Sequence, residues 1–565
     1  MAFAAVKRIL PSWTNVLLAL VAAGLLILAF PDFEIWWSAW FALVPLMWAV
    51  ERQKHCVPAC FLLGWIFGTA FFFGTCWWLT YAPIHYAAIP WPVAYLLILI
   101  ACLGAGVFPG IFAAVLSILL RRFGSWAFLA APFVWVFSEF LRYWLTGNNW
   151  NAIGYSQFTA TLAGWASTGG VISVSFVVVL CNLAACLFIL GCSNVMKTIV
   201  RKAIGRDEPT EVEPSEEQPM MFRALKDGSD DDLNPFMMVG ALAVFVLFAW
   251  MTTPNFYFQS GPKTNVIAVQ PNVPMSGINY NDLKELRQRQ FDLAEAEIRK
   301  IDQQFSVASG EPPTAGRQIP TLVILPESPM NFMYNDDREF QQFVREFTTR
   351  NKVSLLFNSA EPDAANGKFF NSAVMIGSDG KIVAQYDKIY LLPFGEAVPM
   401  PLESIVPAFV GNFSYGREYD LLPVGDAKAG IMICFESHFG QLSRQYVADG
   451  ADVLIEMTND GYLGPTPVLR QHLANAVFRA VETNRPVLRV TNVGITTYIN
   501  EQGAVIDPAP AYQEDTRVWT VSKSDGSQTF YVRYGDWFAW LCTGLTLLLL
   551  IFSFRRKLAS SAISA

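Results

Sequence analysis

Apolar residues are distributed unevenly along the chain, and that unevenness divides it. Residues 1–200 and 534–554 hold nearly uninterrupted apolar runs, whereas the stretch from Asn255 to Arg533 alternates short β-type runs with charged helical segments. A spanning helix needs about 20 mostly apolar residues. Eight stretches qualify or come close: 13–30, 35–50, 56–80, 91–120, 126–146, 163–192, 236–253 and 534–554. The second is short, and the fourth contains Pro109, a residue able to kink a helix. The pattern predicts an α-helical membrane bundle of about eight spans plus one α/β domain. Residues 1–254 carry spans one to seven, 255–533 form the α/β domain, and 534–565 carry the last span and a tail.

Charge between the spans orients them. Lys7 and Arg8 precede the first; Arg52 and Lys54 follow the second; Arg121 and Arg122 follow the fourth. Lys197, Arg201 and Lys202 follow the sixth, and Arg555, Arg556 and Lys557 follow the eighth. The intervening loops 31–34, 81–90 and 147–162 contain neither Lys nor Arg. Positive charge thus falls on every second connection, as cytoplasmic loops require. The pattern predicts both termini in the cytoplasm and the α/β domain outside it, which is the periplasm in a bacterium with two membranes. The first span lacks a small-x-small cleavage site before Pro31 and reads as a retained helix. The acidic, proline-bearing segment 203–235 reads as a cytoplasmic loop. Glu139 and Arg142, three apart inside span five, share a helical face as a structural or a functional pair.

Composition supports this division: 53 % of residues are hydrophobic and 15 % charged. A net charge of −7 argues against nucleic acid as a partner. Of nine cysteines, only Cys434 lies in the α/β domain; the others lie in or beside predicted spans, where they read as small packing residues. An unpaired thiol in a domain facing an oxidising compartment is either a buried bystander or a nucleophile. The four histidines are scattered, no G-x-S-x-G occurs, and nothing in the spacing suggests a metal.

Three β-type runs of the α/β domain end in chemistry-bearing residues. Thr321–Leu325 leads into Pro326-Glu327-Ser328, a strand near 381–386 into Lys388, and Ala429–Ile433 into Cys434. Sites in α/β sheets gather past strand ends. A carboxylate can take a thiol's proton during attack, and an ammonium can stabilise the oxyanion that acyl transfer builds. Glu327, Lys388 and Cys434 therefore form a candidate base, stabiliser and nucleophile.

Their order and contexts, Pro326-Glu327-Ser328, Tyr386-Asp-Lys388-Ile-Tyr390 running on to Glu396, and Ile433-Cys434-Phe435-Glu436-Ser437, resemble the nitrilase superfamily. So do Thr458-Asn-Asp460, Gln471-His472-Leu473 and Arg479 to Pro486. The resemblance implies an αββα sandwich with a Glu-Lys-Cys triad and no cofactor. Glu396, Glu436 and Asn371 match further positions near the family's site, and Phe435 stands where Tyr is common. The helical spans around this domain resemble the superfamily's membrane-integrated acyltransferase branch. That implies transfer of an acyl chain from a membrane phospholipid, typically phosphatidylethanolamine, through a Cys434 thioester to the N-terminal amine of a diacylated apolipoprotein. A membrane-tethered amidase or nitrilase, or a non-catalytic receptor or transporter, are the alternatives. Arg479, Glu482 and Arg485 read as a structural salt-bridge network, and His472 as a structural histidine.

Overall fold

The computed structural model describes residues 10–203, 259–309, 319–327, 329–330, 332–393, 395–398 and 413–562. The chain forms two compact units, residues 255–535 and the helical remainder on either side. The predicted seventh span, 236–253, and the acidic loop after residue 203 lie outside the described residues.

The helical unit contains α1 (Trp13–Ile27), α2 (Val44–Arg52), α3 (Val57–Cys76), α4 (Trp91–Phe123), α5 (Ala131–Thr146), α6 (Ala166–Ala203) and α11 (Trp537–Ala562). Four helical stretches among the described residues are long and apolar enough to cross a membrane: Val57–His85, Trp91–Thr146, Thr161–Cys186 and Trp537–Phe554. The second of these holds both the fourth and fifth predicted spans, joined by a 3₁₀ segment, and Trp13–Ile27 is apolar but shorter.

The second predicted span, the short one, is not one continuous helix: residues 35–50 form a five-residue 3₁₀ turn, Trp36–Trp40, and then most of the nine-residue α2. The intervening break survives inside apolar surroundings because its backbone groups find a partner. Asn182, fully buried on α6, donates to the Ala39 carbonyl at 2.7 Å and accepts from the Leu43 amide at 2.7 Å. Irregular backbone in apolar surroundings is tolerated only when satisfied within the protein. Hydropathy counting registers apolar side chains and cannot see that bond.

Close packing of α3 on α4 comes from facing glycines. A Cβ on Gly64 would lie 2.2 Å from the Pro109 carbonyl oxygen, and one on Gly68 2.8 Å from the Pro109 ring. Glycine spacing of this kind lets helix backbones approach within a membrane. Pro109 sits inside the continuous α4. Glu139 and Arg142 both tie down the segment after α5. Glu139 accepts from the Ile153 amide at 2.8 Å, and Arg142 donates to the Trp150 carbonyl at 2.7 Å.

The α/β unit holds two six-stranded sheets. The first contains β1 (Gln259–Gln270), β2 (Thr321–Ile324), β3 (Ser354–Asp363), β4 (Lys368–Ile376), β5 (Ile382–Asp387) and β12 (Asp515–Ser524), in the order β12-β1-β2-β3-β4-β5. The second contains β6 (Leu421–Val424), β7 (Ala427–Ile433), β8 (Val453–Thr458), β9 (Val487–Thr491), β10 (Thr497–Ile499) and β11 (Val505–Ile506), ordered β11-β10-β9-β8-β7-β6. Each has three parallel central strands, β1-β2-β3 and β7-β8-β9, with antiparallel strands outside them.

Alternation along the strands builds the layers. Ile267 and Val269 of β1, Val323 of β2 and Leu355 and Phe357 of β3 face helices α7 (Tyr280–Ser309) and α8 (Arg338–Asn351), packing on Phe291, Phe340 and Phe347. The opposite face meets the second sheet, where buried Gln270 accepts from the Thr491 hydroxyl at 3.1 Å and the Thr496 amide at 3.2 Å. Helices α9 (Gly440–Ala448) and α10 (Val468–Thr483) pack on β7 and β9. The unit is the nitrilase-like α/β sandwich that the resemblance implies.

Substituting Gly64 by Leu should therefore lower the helical unit's resistance to unfolding in detergent by about 2 kcal/mol, within the usual cost of overpacking. Gly104→Ala, with open space around the added carbon, should be neutral or stabilising in the same melt.

Candidate active site

The three strand ends converge. Glu327 lies three residues beyond β2, Lys388 directly follows β5, and Cys434 directly follows β7. Cys434 takes φ +52°, a left-handed backbone that non-glycine residues rarely adopt. Such strain costs about 1–3 kcal/mol and persists only where its surroundings hold it. Here it makes the sharp turn from β7 into the 3₁₀ helix Cys434–His438.

Glu436, one residue beyond Phe435, holds that turn. One carboxylate oxygen accepts from the Tyr386 hydroxyl (2.7 Å) and from the Ile389 (2.7 Å) and Tyr390 (3.0 Å) amides. The other accepts from the Ile433 amide at 2.8 Å. This one side chain fastens the segment after Lys388 to the strand end before Cys434. Burial pushes its pKa up to about 7, against the pull of Lys388 and its backbone donors.

Lys388 is almost fully buried. Its ammonium lies 2.8 Å from Glu396 and 3.8 Å from Glu327. Burial works against the charge, but Glu396 and Glu327 outweigh it and hold the pKa well above the ordinary lysine value. Asn371, on β4, donates to Glu396 at 2.6 Å and to Glu327 at 3.1 Å, while its own carbonyl accepts from Asn358 at 2.6 Å. Asn371 thus fixes how the two carboxylates flank the ammonium.

The Cys434 thiol lies close enough to Glu327 and Thr458 for both to bear on its titration. Burial raises its pKa well above the ordinary thiol value, and the charge of Glu327 adds to that. Burial raises Glu327 as well, opposed by Lys388. The resting pair is a protonated thiol beside a carboxylate of enhanced basicity, the pairing that general-base activation requires. Phe435 is half-buried, with its ring 5.0 Å from His438 and 5.2 Å from Phe439. Among the described residues no group of three or more His, Cys, Asp or Glu side chains is arranged to hold a metal ion.

Behind the nucleophile lies a buried charge cluster that sequence reading did not assemble. Glu456 on β8 and Arg489 on β9 pair at 2.5 Å, Arg489 reaches Asp460 at 2.7 Å, and His472 meets Asp460 at 2.7 Å. A signal was present: Glu456 and Arg489 are opposite charges inside two apolar runs, and the parallel register sets them side by side. Arg479 and Glu482 pair at 2.7 Å as expected. Arg485 donates to the carbonyls of Ala451, Asn484 and Ser527 near the end of α10.

A nitrilase-like domain of the carbon-nitrogen hydrolase class is what this fold and grouping define, and residues 269–530 match the carbon-nitrogen hydrolase domain. Residues 22–184 match the apolipoprotein N-acyltransferase N-terminal domain. The likeness to individual relatives runs through both parts. The apolipoprotein N-acyltransferase of Geobacter metallireducens is 29 % identical over 96 % of this chain and 95 % of its own. That of Pasteurella multocida is 26 % identical over 93 % and 92 %, and that of Thermotoga maritima 31 % over 49 % of each. The chain is thus similar to apolipoprotein N-acyltransferases along nearly its whole length.

Glu436→Gln should disturb the site strongly, because an amide nitrogen would have to face one of the donors now bound by the carboxylate. The expected cost is about 1–3 kcal/mol, the penalty for leaving a buried donor unsatisfied, read by denaturant unfolding alongside a fall in activity. Unchanged stability and activity would show that the carboxylate does not hold the turn.

Proposed function

We propose that this chain transfers a fatty acyl group from a membrane glycerophospholipid to the α-amine of a diacylglyceryl-cysteine at the N-terminus of an apolipoprotein. The observation that carries the reading is the Cys434 thiol placed beside Glu327, itself 3.8 Å from the buried Lys388 ammonium, in a chain that resembles apolipoprotein N-acyltransferases along nearly its whole length.

In the first half-reaction Cys434 Sγ attacks the ester carbonyl while Glu327 takes the thiol proton. Lys388 stabilises the oxyanion, the ester C–O bond breaks, and the proton passes from Glu327 to the departing lysophospholipid oxygen. In the second, the α-amine attacks the thioester and yields its proton to Glu327. The C–S bond breaks, and the thiolate recovers that proton. Water exclusion from a buried site favours the amine over hydrolysis.

Substrate chemistry accounts for the helical unit. Donor and acceptor are both lipids, and extracting an acyl chain into water costs about 0.8 kcal/mol per CH₂. An enzyme embedded in the same membrane avoids extraction. The positive-inside pattern supports a plasma-membrane protein with cytoplasmic termini and the α/β unit in the periplasm. Phosphatidylethanolamine is the proposed donor. A membrane-tethered amidase would use the same three residues but would give no role to the N-terminal domain.

Incubation with phosphatidylethanolamine and a synthetic diacylated lipopeptide should give triacylated lipopeptide and an equimolar amount of lysophospholipid by mass spectrometry, with neither product from Cys434→Ala. Hydrolysis of small amides without lysophospholipid release would replace this reading with the amidase.

A further inference from the structure

His472 sits on α10 with both ring nitrogens engaged. Nδ1 lies 2.7 Å from Asp460. Nε2 lies 3.1 Å from the backbone carbonyl of Cys434, 3.1 Å from Glu456 and 2.9 Å from the Ser437 hydroxyl. Carboxylates and a carbonyl accept only, so these partners call for a proton on each nitrogen. Arg489 completes the cluster, so that two carboxylates face two cations. The only other ring packed on it is His438, with centroids 5.1 Å apart among the described residues. Burial, and then the charge of His472, keep His438 neutral.

We propose that His472 is a positioning residue for the nucleophile: its Nε2–H holds the Cys434 carbonyl and so fixes the left-handed turn that presents the thiol to Glu327. The proposal deepens the acyl-transfer reading and rests on it for its substrate. Glu436 grips the turn from the amide of Ile433, before the cysteine; His472 grips it from the carbonyl of the cysteine itself. With both grips in place the strained residue has little freedom to relax.

The arrangement depends on charge. Burial and Arg489 work against the imidazolium, but Asp460 and Glu456 outweigh them and push His472 up to about 9. Above that pH the ring keeps the Nδ1 proton bound to Asp460 and turns a lone pair toward the Cys434 carbonyl and Glu456. Attraction becomes repulsion, and the grip is lost as pH rises through about 9. Below it the grip is complete.

The test follows Cys434 in the full-length protein from about pH 6 to about 10.5, bracketing the transition. Two rates are measured: acylation by phosphatidylethanolamine, and alkylation by iodoacetamide, which needs the thiol but no lipid. Wild type should lose acylation through a limb near pH 9. Folded His472→Gln should acylate about 10- to 100-fold more slowly, the scale of a nucleophile misplaced by about 1 Å. It should show no such limb, and its half-saturating phospholipid concentration should be unchanged. A merely structural histidine would lower the melting temperature yet leave the folded enzyme's rate and pH profile intact, and that result overturns the proposal. A wild-type profile without the limb overturns it equally. Where His472→Gln does not fold, Asp460→Asn should move the limb to lower pH, and an unmoved limb refutes the role. If wild type takes up no acyl group while alkylation at neutral pH still slows in His472→Gln, the acyl-transfer reading fails and the positioning role stands.

Discussion

The geometry of the site depends on one buried carboxylate. Glu436 accepts from the amide before Cys434 and from the two amides after Lys388. It thereby joins a strand end of the second sheet to a strand end of the first. Neither segment could be placed to this precision by sheet packing alone, since both lie just outside regular hydrogen bonding. Each bond to a charged acceptor contributes more than a neutral one. Together they oppose the strain of the cysteine's left-handed backbone and recover part of the cost of burying the charge, which still leaves the Glu436 pKa raised to about 7.

From that junction the electrostatics follow. Lys388 is buried between Glu327 and Glu396, so its charge is secured by two carboxylates. Glu396 and Asn371 hold the ammonium and the base at a fixed spacing. Glu327 is left beside Cys434 with its basicity raised by burial. The thiol is protonated at rest, which protects it from adventitious oxidation; in the proposed reaction it becomes a nucleophile when an ester carbonyl arrives to accept its electrons. Beneath the turn, Glu456, Asp460, His472 and Arg489 supply a charge-balanced foundation in which removal of one member would strand its partners.

Two of the three candidate residues were legible because Glu327 and Cys434 each follow a buried apolar strand. Lys388 follows β5, which is exposed at its start, and stood out by its sequence context instead. The foundation was less legible. Glu456 and Arg489 are conspicuous inside apolar strands, but their pairing depends on parallel register, which no local pattern specifies. The dual engagement of His472 likewise depends on where α10 settles on the sheet. In the helical unit, hydropathy found the long helices and marked residues 35–50 as short, but not the break within them. There Asn182, distant in sequence, satisfies the backbone between the 3₁₀ turn and α2.

The central claim is that Cys434 carries the acyl group between two lipids. The intact mass of the protein after exposure to phosphatidylethanolamine alone tests it most directly. The account predicts added mass equal to one acyl chain, sensitive to hydroxylamine, discharged by a diacylated lipopeptide and absent from Cys434→Ala. Folded protein that transfers acyl chains without ever bearing one, or that bears one undiminished in Cys434→Ala, would contradict it.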